Sequence, residues 1–258
     1  MRTILTILMT LKSLRILLVS TLATLVSISV LAGPNVTFHN LAVLPGKQST
    51  VVDGARKFMS SKTGQQFKGS MHLNRIASNG KSPATHTLVV LQNSRKAAAE
   101  WSETLANSQD FSDWMATLRA SSQPVSSTNM DMVKSWGTID NADRYWDVNY
   151  FSTKDPAGVV AAMDQLMKSD RFQAFPGQVW LNATAFGGDM VHGYTTHMFA
   201  VGYQSMAEYE AWNDAHRSSA EFQVFMKALN DKVSWLNSEL VYNVLVFDEQ
   251  TSLESFGS

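Results

Sequence analysis

Apolar residues along this chain change their spacing in a fixed order, and that order is run through twice. "VTFHNLAVL" (36–44) reads as a strand, and "TVVDGARKFMSSKTGQQF" (50–67) carries its apolar side chains at helical spacing after a Ser/Thr start. "GSMHLNRIAS" (69–78) and "THTLVVLQN" (85–93) flank Asn79-Gly80, a hairpin signal. A long helical stretch over 95–120 and a last strand, "NMDMVKSWGTI" (129–139), follow. The series then begins again with the strand "RYWDVNYF" (144–151) and a helix from Asp155-Pro156 to about 170, where Asp155 caps and Pro156 takes the first helical position. "QVWLNATAF" (178–186), a turn at Gly187-Gly188-Asp189, "TTHMFAVGY" (195–203), a helix over 206–236 and "LVYNVLVFD" (240–248) complete it.

The two runs are alike in residues as well as in period. At an offset of 111, His86/His197, Val90/Val201, Ser94/Ser205, Trp101/Trp212, Ser108/Ser219, Phe111/Phe222, Met115/Met226 and Leu118/Leu229 are identical pairs. Upstream the offset becomes 108, where "FKGSMHLN" (67–74) matches "FPGQVWLN" (175–182). A three-residue change in a turn accounts for the shift, and internal duplication follows. Each copy is a strand-helix-strand-strand-helix-strand unit, the ferredoxin-like plan, whose four-stranded sheet has helices on one face only. Packing two such units together covers the remaining faces and protects the edges. The expected fold is therefore α+β: two tandem ferredoxin-like (βαββαβ) repeats, residues 33–140 and 141–250, forming an intramolecular α+β barrel, with a tail over 251–258. A monomer with an internal pseudo-dimer is the expected state.

Residues 1–32 stand apart. They carry Arg2, Lys12 and Arg15 and no acid, Ile16 to Val30 is uncharged and apolar, and "VLA" before Gly33-Pro34 suits cleavage. The expectation is a signal peptide and a periplasmic or secreted protein; an uncleaved N-terminal anchor is the alternative, since about 17 apolar residues can just span a bilayer. The remainder carries 18 basic and 22 acidic residues, a net of −4, with no basic run. Nucleic-acid binding is not expected, nor is membrane association after cleavage. There is no cysteine, so no disulfide and no lipid-anchoring thiol.

"YQSMAEYEAWNDAHRSSAEFQVF" (203–225) resembles the third-strand-to-second-helix signature of dimeric α+β barrel proteins of the antibiotic-biosynthesis-monooxygenase-like group. Tyr203, Ser205, Tyr209, Trp212, Ser219 and Phe222 match it; the first copy matches at Ser94, Trp101, Ser108 and Phe111 but has Gln92 at the aromatic position. The resemblance covers most of residues 36–248 and implies a fold more than a reaction, because the group includes oxygenases, isomerases and haem-degrading members. Those that degrade haem place a His where this chain has Met115 and Met226, and a Trp where it has Gln92 and Tyr203, which argues against that chemistry. Members that form quinones without a cofactor use an Asn, a Trp and Tyr residues, a set that Asn149, Trp212 and Tyr203 could supply.

Among candidate residues, His216 replaces Leu105 on an apolar helical stripe and could move protons in a pocket of the second copy. The bland reading is a helix-edge His reaching solvent. His86 and His197 begin equivalent strands and could act as bases or ligands, or sit there half-exposed; without a nearby carboxylate cluster they form no metal set. His192 and His197 point to opposite faces of a strand. Asn182, like Asn74, either lines a pocket or sits at an edge. No phosphate loop, nucleophile elbow or zinc motif occurs, so neither a cofactor nor a metal is expected. The function expected is an exported barrel with a small-molecule pocket, a cofactor-independent monooxygenase- or isomerase-like enzyme on a small apolar or aromatic compound, with Tyr203 and Asn149 orienting and His216 handling protons. The alternative is a non-catalytic periplasmic ligand-binding or stress-associated interaction module.

Overall fold

Strands β3 (His86–Gln92) and β7 (His197–Tyr203) are buried along nearly their whole length on both faces. Alternation sends Val89 and Leu91, or Met198 and Ala200, to one side, and Leu88, or Phe199, to the other. Two cores on opposite sides of a sheet require two covers. The computed structural model, which describes residues 33–80, 82–137, 142–187 and 193–248, provides them. The expected signal segment, the Gly188-Asp189 part of the second hairpin, His192 and the tail lie outside the described residues.

The other strands are β1 (Asn35–Val43), β2 (Ser70–Ser78), β4 (Ser122–Gly137), β5 (Tyr145–Thr153), β6 (Gln178–Phe186) and β8 (Val233–Asp248). All pairings are antiparallel, and the eight strands close into a barrel in the order β1-β3-β2-β8-β5-β7-β6-β4. The first four thus lie in the order β4-β1-β3-β2 and the last four in the order β8-β5-β7-β6, the same arrangement. Two seams join them, β2 to β8 and β4 to β6. Register shifts fall at matching places in the two halves: Asn40/Leu41 and Tyr150/Phe151 within each half, and Leu73/Asn74 and Met132/Lys134 at the seams, the last opposite Leu181 and Asn182. Closure leaves no long open edge, the usual hazard of a sheet this size.

Outside the barrel the described residues form seven α-helices: α1 (Gln48–Met59), α2 (Arg95–Ala106), α3 (Gln109–Ser121), α4 (Pro156–Met167), α5 (Asp170–Gln173), α6 (Met206–His216) and α7 (Ala220–Leu229). None among the described residues is long and apolar enough to cross a membrane. The stretches 95–120 and 206–236, expected as single helices, are each broken. Ser108 accepts from the Phe111 amide (3.1 Å) and Ser219 from the Phe222 amide (3.2 Å), each starting a new helix. Ser94 and Ser205 cap α2 and α6 in the same way. The repeated serines are therefore caps, each stabilising its helix by about 0.5–2 kcal/mol. Asp155 caps α4 through the Gly158 amide at 2.9 Å, as expected.

Strands β4 and β8 begin well before the expected 129 and 240. Residues 122–131 pair with β1 and 129–137 with β6, so one strand serves both its own sheet and the seam. Its first half is flanked on one side only, which is why Pro124, lacking an N–H, is tolerated there.

The barrel interior is largely apolar, with Trp146, Trp180, Met130 and Met198 among its members. It also encloses polar groups. His72 is 5% exposed, its Nε2 2.7 Å from Ser70 Oγ, and Tyr150 donates to Glu239 Oε2 at 3.1 Å. Burial, assisted by the Arg144 charge, pushes the His72 pKa down from 6.5 to about 4. The unfolded chain then binds a proton that the folded one refuses between those values, so stability is full above pH 6.5 and falls as pH drops toward 4. Denaturant titrations at pH 7 and pH 5 should differ by about 2 kcal/mol on this account alone. His72→Gln should flatten that difference; an unchanged slope would show that His72 does not carry it.

Candidate functional site

The outer face of the second sheet and helices α4 to α7 do not meet everywhere. They enclose a cavity of about 370 Å³, within the range of small-molecule sites. Its floor comes from alternate residues of β5 and β7, Asp147, Asn149, Val201 and Tyr203, which strand geometry places on the helix side. Its roof is aromatic and thioether: Phe172, Trp212, Phe222 and Met226. Asn149, Tyr203, Trp212 and His216, singled out in the sequence, all line this one cavity.

Asp147 is half-buried, and Asn149 Nδ2 donates to its Oδ1 at 3.0 Å. Burial raises the Asp147 pKa; the Asn149 bond and the Arg217 charge oppose this without reversing it. Tyr203 is 3% exposed, and its ring meets Phe175 and Tyr209 edge-on at 5.7 and 5.3 Å. Burial, then the Asp147 charge, pushes its pKa up, so the phenol remains neutral and able to donate.

His216 is 7% exposed, not at a solvent-facing edge. Its ring lies against Trp212 and Phe172, and Arg171 Nε donates to its Nδ1 at 2.9 Å. A guanidinium can only donate. Nδ1 is therefore the bare nitrogen, and the neutral ring carries its proton on Nε2. Burial and the Arg171 charge both lower the His216 pKa. That fixes His216 as a hydrogen-bond donor, whereas the sequence alone does not say whether it gives or takes a proton. Among the described residues, the one anionic acceptor in the cavity wall is Asp147, which is not among the candidates the sequence suggests. Its signal was present: in "RYWDVNYF" (144–151), Asp147 and Asn149 alternate with Trp146 and Val148, placing a carboxylate and an amide together on the face opposite a core. Arg171 could not have been found so, because its partner lies 45 positions away.

The remaining candidates lie elsewhere. His86 and His197 are buried, at 3% and 8% exposure, not half-exposed, and each ring Nδ1 sits 2.9 Å from the hydroxyl of the preceding threonine, Thr85 or Thr196. Neither lines the cavity; His197 stacks on Phe151. Asn182 is wholly buried on the interior side of the barrel, with Asn74 likewise buried, so neither is an edge residue. Among the described residues no group of three or more His, Asp or Glu side chains could hold a metal ion. The expectation of a pocket in the second copy needs correction: the first half also encloses a cavity, of about 550 Å³, whose wall includes Trp101 and Leu105 where the second has Trp212 and His216.

No family model and no curated protein matches the chain. Solved structures do. A Fusobacterium nucleatum protein named provisionally as a monooxygenase matches 85% of this chain and 99% of its own, with a TM-score of 0.55 at 15% identity. An anthrone oxidase-like protein matches 86% and 94%, with a TM-score of 0.58 at 14% identity. A Lactobacillus acidophilus protein, also provisionally a monooxygenase, matches 84% and 100% at 0.55 and 12%. At these identities the likeness is one of fold, the α+β barrel, over nearly the whole length of each chain.

Proposed function

We propose that the second-half cavity binds a small, largely apolar or aromatic molecule and removes a proton from it, in a monooxygenase- or isomerase-like reaction. The observation that supports this most directly is the Asp147 carboxylate, held by Asn149 in an aromatic cavity with Tyr203 and His216 as neutral donors. A carboxylate with a raised pKa is a better base than an ordinary one. Tyr203 and the His216 Nε2–H would stabilise the negative charge that appears on a substrate oxygen as the proton leaves. Trp212 and Phe172 would stack on a flat ring system.

The names of the similar structures fit a substrate that loses its proton and then meets dioxygen. For an activated methylene, the carbanion would add dioxygen, take back the proton held by Asp147 as a hydroperoxide, and eliminate water to leave a carbonyl. This scheme calls on no cofactor. We further read the two halves as tandem ferredoxin-like repeats of the antibiotic-biosynthesis-monooxygenase type, supported by their equal strand orders and matching register shifts. Export through residues 1–32 is part of the same proposal, and the intact mass of protein recovered from its own host, short of that segment or not, decides it.

Supplied with anthrone, the protein should consume dioxygen and form the quinone. Asp147→Asn should lower kcat/KM by about 100-fold or more. The rate should rise with pH, because the base must be ionised, with a midpoint above the ordinary carboxylate value of about 4. Full activity in Asp147→Asn would sink the catalytic assignment. Binding without turnover in the parent protein would move the cavity to the ligand-binding role.

A further inference from the structure

The first half keeps the walls of a site while losing its chemistry. Strand pairing sets Asn35 opposite Gln92 as Tyr145 is set opposite Tyr203, so Thr37 and His39 occupy the places of Asp147 and Asn149. With Gln92 for Tyr203 and Leu105 for His216, the carboxylate, the phenol and the helical imidazole are all gone. Trp101, in the place of Trp212, remains.

Two lobes result, of about 550 and 430 Å³, with His39, Val90, Trp101 and Leu105 in the walls of both. The larger lobe is lined mainly by apolar and aromatic side chains, Phe58, Phe67 and Phe111 among them. The smaller is polar at its far end. There Asn35 and Asn129 exchange amide hydrogen bonds at 3.0 and 2.8 Å, and Asn129 donates to Thr37 Oγ1 at 2.8 Å. Arg95 reaches the same lobe, but its guanidinium is held by both oxygens of Asp131, so it brings no unmatched charge. His39 Nδ1 lies 3.0 Å from Ser127 Oγ, and burial lowers its pKa, keeping the ring neutral. An apolar chamber that shares four wall residues with a charge-balanced, amide-rich one is complementary to a molecule of matching polarity.

We propose that the first half is a second, non-catalytic binding site for a neutral, elongated apolar molecule with one hydrogen-bonding end. The apolar body would lie against Trp101 and the phenylalanines, and the polar end at the Asn35–Asn129 cluster. A charged end group would have to be desolvated there without a free counter-charge, which selects against anions and cations alike.

N-phenyl-1-naphthylamine, a neutral apolar fluorophore with one N–H, tests this on the full-length protein. Equilibrium titration should give two bound probes per chain. Leu105→Trp, adding bulk to a wall that both first-half lobes share, should remove one and leave the other. Val90→Phe is a second variant at the same shared wall, so a fold failure of either leaves the test intact. Met226→Trp, in the second cavity, should remove the other probe. One probe in the parent protein, lost with Met226→Trp and kept with Leu105→Trp or Val90→Phe, would overturn the proposal, as would two probes that both survive the first-half substitutions.

Discussion

A sheet whose strands are apolar on both faces cannot stand in water with helices on one face only. In each half of this protein the central strand, β3 or β7, is buried on both sides, and β2 and β6 would expose an unpaired backbone edge. The seams β2–β8 and β4–β6 answer both requirements together. They pair the edges and bring the two inner faces into one core that contains Trp146, Trp180 and Met198. The 16-residue strands β4 and β8 exist to reach across, each giving one end to its own sheet and the other to the seam.

Because the inner faces are spent on each other, space for ligands arises on the outer faces, between sheet and helices. Both halves have such space, and its chemistry differs by a few side chains. The second half combines Asp147, Asn149, Tyr203 and His216; the first has Thr37, His39, Gln92 and Leu105 at the matching places. Shared serine caps and shared register shifts hold the frame constant while these side chains vary. Arg171 adds a further constraint, since its bond to His216 settles which nitrogen carries the proton and hence which role the ring can take.

Much of this was readable from residue order. Period and repetition placed the elements, and the serines at 94, 108, 205 and 219 stood out as repeated positions, but their role as caps that break 95–120 and 206–236 emerges only in the structure. The polar run "SQPVSSTN" (122–129) carries no alternation, and only pairing with β1 makes it a strand. Among site residues, His216 stood out because it interrupts a repeated apolar stripe, whereas Asn149, Tyr203 and Trp212 were implied by the family resemblance. Asp147 was not weighed, and the burial of His86, His197 and Asn182 was not visible, because burial on a strand depends on what the other half places above it.

Hydrogen exchange followed residue by residue in the intact chain reads the seams directly. If the halves depend on each other for cover, amides of β8 paired with β2, and of β6 paired with β4, exchange only as slowly as those between β1 and β3 inside one half, all through the same global opening. Seam amides exchanging orders of magnitude faster, while each half stays protected, would mean two self-sufficient sheets in loose contact and would contradict the account.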